Sequence, residues 1–401
     1  MFKNKRFKLR AMLLIALMTG LTLISTRVRA DSGFCGGGPV TLPFTDVAGN
    51  IFFCEIAAAY FSGLTNGTSA SAFSPGMPVP REQMAAFTTR TLDQSLRRGS
   101  RTAALDQWWA TQSQRAVALT TVGQEPFQVK SDGADLWVTS FFTGTVSRVR
   151  ATDGKLLDIW TGATNAHGVL VALGRVFVTS WTQPGSLYMI DPTQPAGAMT
   201  LLTNTLHDFP TSITFDGRRI WIACNGSVGS PSSVSIVTLN PTTVVNVTAG
   251  FITVNGILND GTSIWTTDIG DQTLKRLDSN GAILQTVGVG VASFFPGFDG
   301  TNIWVPNANS SSVTIVRASG SLGGAVLATL TGNGLNSPRT AAFDGERILV
   351  TNAIGNSVSM WHAASLAPIG SSVVGASPFG ACSDGINFWI ALAGDNALAR
   401  F

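Results

Sequence analysis

The sequence predicts an all-β fold: a seven-bladed propeller closed by a strand from its N-terminal side, with a small helical module ahead of it. Three observations predict it. A short phrase returns about every forty residues, each unit between returns reads as four short strands, and the two ends of the repeated region complement each other. The clearest phrase is Phe215-Asp216-Gly217-Arg218-Arg219-Ile220-Trp221-Ile222. Others begin at Asp132 (with Trp137), Asp260 (Trp265), Asp299 (Trp304), Asp344 (Leu349) and Asp384 (Trp389). A worn copy at Leu173-Gly174 carries Phe177, which makes seven.

The inside of a unit separates a propeller from a helical solenoid. Residues 127-131, 136-141, 145-150 and 155-160 read as β runs, separated by turns at Asp132-Gly133, Phe142-Thr143-Gly144 and Asp153-Gly154. Glycine supplies the positive φ that tight hairpins need, because it has no Cβ to clash. The apolar i, i+3, i+4 spacing of helical repeats is absent. Four antiparallel strands per unit describe a blade. The Trp of each phrase reads as packing between blades: a large ring buries much apolar area, and its N–H needs one partner.

The chain ends supply the closure. The last unit stops at Phe401 after three strands, at 379-383, 387-391 and 396-401. Residues 117-127 (VALTTVGQEPF) echo 370-379 (GSSVVGASPF), which form the outer strand of the sixth unit and its connector into the seventh. Residues 115-122 are therefore expected as the outer strand of the last blade. Such pairing removes open sheet edges.

Ahead of the repeats, Lys3, Lys5, Arg6, Lys8 and Arg10 precede an apolar run from Ala11 to Ile24, and Val28-Arg29-Ala30 offers a small-residue cleavage site. Residues 1-30 thus read as a secretory signal peptide, too short in its apolar run for a bilayer span of about 20 residues. This predicts a secreted protein of the bacterial cell surface or periplasm, with no membrane span after cleavage. The chain's net charge of +3 depends on that segment: without its seven Lys and Arg, 19 basic side chains face 23 acidic ones, a net −4. No basic nucleic-acid footprint remains. Of four cysteines, Cys35 and Cys54 lie in the small N-terminal region and are candidates to pair in an oxidising compartment. Cys224 and Cys382 fall in blades that are not neighbours and are expected as buried thiols. Residues 31-98 read as the helical module. Residues 99-114 read as a linker with a short amphipathic helix at 103-109, and residues 115-401 as the propeller.

Within 44-98, Phe44-Thr45-Asp46-Val47 precedes an apolar helical run from Ile51 to Phe61. Then come Gly63-Leu64-Thr65-Asn66-Gly67, Phe73-Ser74-Pro75, and Pro80-Arg81-Glu82-Gln83-Met84-Ala85 opening a second helix. Pro costs no hydrogen bond at a first helical position, and Glu82 suits the positive end of the helix dipole. This order of motifs resembles one S-layer homology (SLH) module. The resemblance implies contact with cell-wall polysaccharide, with Arg81 in the place that holds acidic sugar groups and Asp46 in the F-x-D-V position. Pro80 stands where the family has a Thr cap, and one module is found where wall anchoring generally uses three.

The repeat phrase resembles secreted bacterial propellers of the YVTN or NHL-like type, and more distantly virginiamycin B lyase. These families mix binding modules, scaffolds and enzymes, so function has to come from residues at the channel mouth. The third residue after each repeated aromatic gives one ring of positions: Ser140, Ser180, Cys224, Asp268, Asn307, Asn352 and Leu392. Asp268, Asn307 and Asn352 come from consecutive blades and are candidates for a Ca²⁺ site like that of gluconolactonase-like propellers, although a single carboxylate is little charge for one. His167 aligns with Pro126, Pro210, Pro338 and Pro378 and is expected in an interblade connector near the mouth, with acid–base capacity. No Ser-His-Asp order, catalytic constellation, cofactor motif or Cys/His metal spacing is present in the sequence. The leading expectation is an exported cell-envelope binding or scaffold protein, whose propeller face engages a surface protein or glycan. The alternative is a hydrolase or lyase acting on a small molecule at the mouth.

Overall fold

The computed structural model describes residues 30–35, 38–97 and 118–401, with side chains of 92–97 excepted. The expected signal peptide and the linker helix at 103-109 lie outside the described residues. Seven four-stranded antiparallel sheets succeed one another along the chain. The first runs Pro126–Ser131, Asp135–Ser140, Thr145–Arg150 and Leu156–Thr161, within a residue or two of the expected strands. The seventh is completed as expected: Ala118–Thr121 pairs antiparallel with the C-terminal strand Ala397–Arg400. The protein is an all-β seven-bladed propeller.

The repeated phrase builds each blade by two linked devices. Its Gly takes a left-handed turn conformation, with φ between 89° and 106° at Gly133, Gly217, Gly261, Gly300, Gly345 and Gly385. The preceding Asp does more than tolerate a turn. One carboxylate oxygen of Asp260 accepts from the backbone N–H groups of Thr262 and Ser263, both at 2.7 Å. The other accepts from the indole Nε1 of Trp265 at 2.8 Å. The same indole bond recurs at Asp132–Trp137, Asp216–Trp221, Asp299–Trp304 and Asp384–Trp389, at 2.7 to 2.9 Å. Where Leu349 replaces Trp, Asp344 accepts from Arg347 Nε at 2.8 Å instead.

The tethered rings do the packing expected of them. Trp137 packs against Val169, Val176 and Val178 of the second blade, and Trp265 against Ile303, Val305 and Val316 of the fifth. Trp389 meets Val129, Leu136 and Val138 of the first blade, so this packing continues across the closure. All of these rings are fully buried.

The N-terminal module departs from its expected description. It opens with a hairpin, Asp31–Cys35 against Gly38–Leu42, which the glycine-rich sequence did not suggest. A helix follows at Phe53–Phe61 and another at Arg81–Arg97, one residue after Pro80. A Cys35–Cys54 disulfide joins the hairpin to the first helix, while Cys224 and Cys382 are free and buried. Nor does the module stand apart. Phe44, Val47, Ile56 and Phe61 share one apolar cluster with Trp304, Ile315 and Trp361 of the fifth and sixth blades. The C-terminal carbonyls of the first helix, which have no partners within it, accept from the propeller. Arg317 Nη2 donates to Tyr60 O and Asn302 Nδ2 to Phe61 O, both at 2.8 Å. No helix among the described residues is long and apolar enough to cross a membrane.

The Asp–indole link carries a testable cost. Asp260→Ala strands a buried indole N–H and two turn N–H groups. It is expected to lower unfolding free energy by about 3 kcal/mol in urea titration, with Trp265→Ala comparable or worse. A loss below about 1 kcal/mol for Asp260→Ala would show that the tether does not hold the blade.

Candidate functional site

Each innermost strand carries one extra residue just after its start. In the first blade Pro126 pairs with Ser140 and Val129 with Val138, so three steps on one strand face two on the other. The same bulge follows Ala166, Pro210, Val254, Pro338 and Pro378. In the fifth blade it follows Ser293, which pairs with Asn307 four residues before Gly297 pairs with Trp304. A bulge re-aims the side chain at the irregularity. Here it sets a ring around the axis: Phe127, His167, Thr211, Asn255, Phe294, Arg339 and Phe379.

This ring is not the one expected from sequence. Ser140, Ser180, Cys224, Asp268, Asn307, Asn352 and Leu392 are the pairing partners of the residues that precede the bulges, one strand away from the axis. Asp268, Asn307 and Asn352 are fully buried, and their polar atoms are engaged. Asp268 accepts from the N–H groups of Ile252 and Thr253 and pairs with buried Lys275 at 2.6 Å, which keeps its carboxyl ionised against its burial. Asn307 and Asn352 accept from Gly290 and Asn336 N–H and donate to hydroxyls of the third strand. Their oxygens hold incoming connectors, which leaves them poorly placed to serve a Ca²⁺ ion. No group of three His, Cys, Asp or Glu side chains that could hold a metal occurs among the described residues.

His167 also sits one residue from its expected place. Ala166 takes the proline position, and His167 lies in the innermost strand Ala166–Ala172, 5% exposed. Its Nδ1 is 2.6 Å from the Thr211 carbonyl, which only accepts, so Nδ1 carries the proton and Nε2 is left as an acceptor. Burial lowers its pKa from 6.5 to about 3, against the opposing pull of that carbonyl. The imidazole is neutral at physiological pH and too weak a base to take a proton from substrate.

The rim comes from a second repeated device. The residue before each innermost strand adopts positive φ in six blades: Glu125, Asn165, Phe209, Ala292, Ser337 and Ser377. Their carbonyls accept from the residue just after the second strand, as Phe141 N does on Glu125 O at 2.9 Å and Trp181 N on Asn165 O at 3.0 Å. Side chains at these latter positions stand around the mouth and are unequal. Blades one to three present Phe141, Trp181 and Asn225; blades five to seven present Ala308, Ala353 and Ala393. One side of the mouth is therefore walled. Trp181 packs on Phe209 with centroids 4.4 Å apart.

Behind the wall is a cavity of about 260 Å³, which His167, Thr211, Asn255, Phe127 and Phe294 line from the ring. Its floor is Phe295. The equivalent residues in the other blades are Gln128, Gly168, Ser212, Gly256, Thr340 and Gly380, so among the described residues only here does a large ring follow the bulge. Phe295 lies 6.2 Å from Phe127 and 5.9 Å from Phe379, centroid to centroid, spanning the axis. Below it a separate space of about 40 Å³ is bounded by Gln128, Lys130 and Thr340. The pocket is thus a blind cup, not a through-channel.

Charge at the cup is sparse. Glu125 borders it; burial raises its pKa, and Oε2 has no hydrogen-bond partner among the described residues. Arg339 stacks 4.0 Å from the Phe294 ring centre and does not line the cup. In the N-terminal module Asp46 accepts from Phe73 and Ser74 N–H at 2.9 and 2.7 Å, bracing the loop before the second helix. Arg81 begins that helix, exposed. No hydrogen bond or ion pair joins Asp46 and Arg81, and both lie outside the cup.

His167 predicts a pH signature. The unfolded chain protonates it near 6.5 and the folded chain near 3, so between these values the unfolded state binds more protons and stability falls as pH falls. From pH 7 to 5 the wild type is expected to lose about 2 kcal/mol more than His167→Gln, by urea unfolding. Equal losses would show that His167 is protonated in the fold.

No protein-family model matches the sequence, and no curated protein matches it. Solved structures do. Hydrazine synthase of Kuenenia stuttgartiensis is 16% identical over 73% of this chain and 99% of that chain, with a TM-score of 0.59. Streptogramin B lyase is 14% identical over 71% and 96%, with a TM-score of 0.57. The WD40 β-propeller domain of Doa1 is 13% identical over 72% and 96%, with a TM-score of 0.59. At such identities the likeness is one of fold: this chain is a propeller of the kind that serves proteins of diverse function.

Proposed function

We propose that this is an exported cell-envelope binding protein, and that its cup takes one residue of a partner, a sugar ring or a protein side chain. The observation that carries the reading is the walled, blind cavity of about 260 Å³, faced with aromatic rings and closed beneath by Phe295. An apolar concavity with a few polar groups is the usual form of a ligand site. Catalysis is poorly served by the same groups. His167 is a weak base, and the Thr211 hydroxyl is engaged at 2.6 Å by the Asn255 carbonyl. Burial pushes Cys224 and Cys382 up to about 12, far from a reactive thiolate. Streptogramin B lyase shares the fold, and a lyase reading would need further acid–base groups at this mouth.

Export rests on the N-terminal sequence, and polysaccharide contact on the SLH-like motifs with exposed Arg81. Because the module is bonded to the fifth blade, we read it as a second contact surface on one body. Cosedimentation of the full chain with purified cell-wall polysaccharide, and with a surface-protein extract, separates the surfaces. Trp181→Ala and Phe141→Ala are each expected to weaken binding about tenfold or more, the scale of an anchor ring's removal. Binding unmoved by both would overturn the cup as the site. Loss only with Arg81→Ala would transfer the role to the module.

A further inference from the structure

We propose that the cup recognises a primary ammonium group on a short carbon chain or ring; this deepens the binding reading above and rests on it. The argument is the chemistry of what lines the cup. Phe127, Phe141, Trp181 and Phe294 offer π-faces, whose negative quadrupole attracts a cation. Among the cup's lining residues Glu125 is the charged one; its Oε2 is buried without a partner, whereas Oε1, which also has no partner among the described residues, is not among the buried atoms and is the oxygen left for a donor at the rim. His167 is 95% buried, with its proton committed to Thr211 O. Its Nε2 has no partner among the described residues and, unlike the orphaned buried atoms, keeps contact with the open space of the cup. A neutral imidazole there presents a lone pair and does not repel a cation.

Three features thus converge: an aromatic enclosure, an anionic acceptor at the entrance and a neutral acceptor inside. A neutral sugar hydroxyl would use the acceptors but gain little from the carboxylate's charge. A quaternary ammonium would use the rings but leave both acceptors without donors. A primary ammonium, with three N–H donors and one charge, satisfies all three. Arg339, stacked on Phe294 and Phe379, lies outside the lining and does not occupy the place of such a cation. The volume of about 260 Å³ admits a lysine side chain or an amino-sugar ring.

The test titrates the full chain with n-butylammonium and its neutral analogue n-butanol by saturation-transfer NMR. Nα-acetyl-lysine methylamide and glucosamine serve as arms that distinguish a protein source from a glycan source. The amine is expected to bind about tenfold tighter than the alcohol, and Glu125→Gln to erase the difference while leaving butanol unchanged. His167→Phe, which keeps the ring packing, is expected to weaken the amine alone. Butanol binding as well as the amine, or Glu125→Gln without effect, would overturn ammonium recognition and leave the cup standing as an apolar site. Failure of every probe would overturn the ammonium proposal, while the Trp181 and Phe141 variants independently decide whether the cup binds a partner.

Discussion

Ala118 to Thr121, laid antiparallel against Arg400 to Ala397, turn a row of seven sheets into a ring. Everything at the axis depends on that pairing. An open row would leave the third strand of the last sheet unpaired and the first blade without a neighbour on one side. Closed, the ring buries Trp389 against the first blade and sets the innermost strands of the seventh and first blades side by side. Close approach at the axis explains the glycines there: a Cβ on Gly380 would come within 2.4 Å of the Phe127 carbonyl oxygen. The same crowding leaves no room for a through-channel once Phe295 occupies its place.

Given the ring, the site follows from breaking its symmetry. Every blade supplies a bulge, and nearly every blade a left-handed residue before it, so the backbone at the mouth is nearly sevenfold. Only side chains distinguish the sectors. Bulky residues after the second strands of blades one and two raise a wall, and alanines on the opposite side leave an approach. His167 owes its neutrality to burial in that ring, which outweighs the opposing pull of the carbonyl of the equivalent residue in the next blade. Six residues other than glycine take left-handed φ at this mouth, a conformation that commonly accompanies function.

What was legible in the sequence is what is local. Asp-Gly followed by an aromatic encodes a turn, a carboxylate acceptor and a buried ring within six residues, so the blade count could be read from it, and the closure strand from the echo of 370-379 in 117-127. The axis ring could not, because a bulge is a mismatch between two strands and leaves no mark in either alone. Aligning His167 with prolines displaced it by one residue, and counting from each Trp selected the bulge's pairing partners. The signal that would have found the ring is the residue after each recurrent proline: Phe127, Thr211, Arg339 and Phe379. The hairpin at 31–42 was hidden by its glycines. Docking of the N-terminal module was hidden because Asn302 and Arg317 meet carbonyls 241 and 257 residues away, groups that every sequence carries.

Hydrogen exchange over Ala118–Thr121 and Ala397–Arg400 tests ring closure most directly. A closing strand predicts that the bonded amides of the early segment are protected and open only together with the C-terminal strand. Free exchange of residues 118–121, with Ala397–Arg400 still protected, would mean that the ring is sealed some other way and that the cup cannot be built as described.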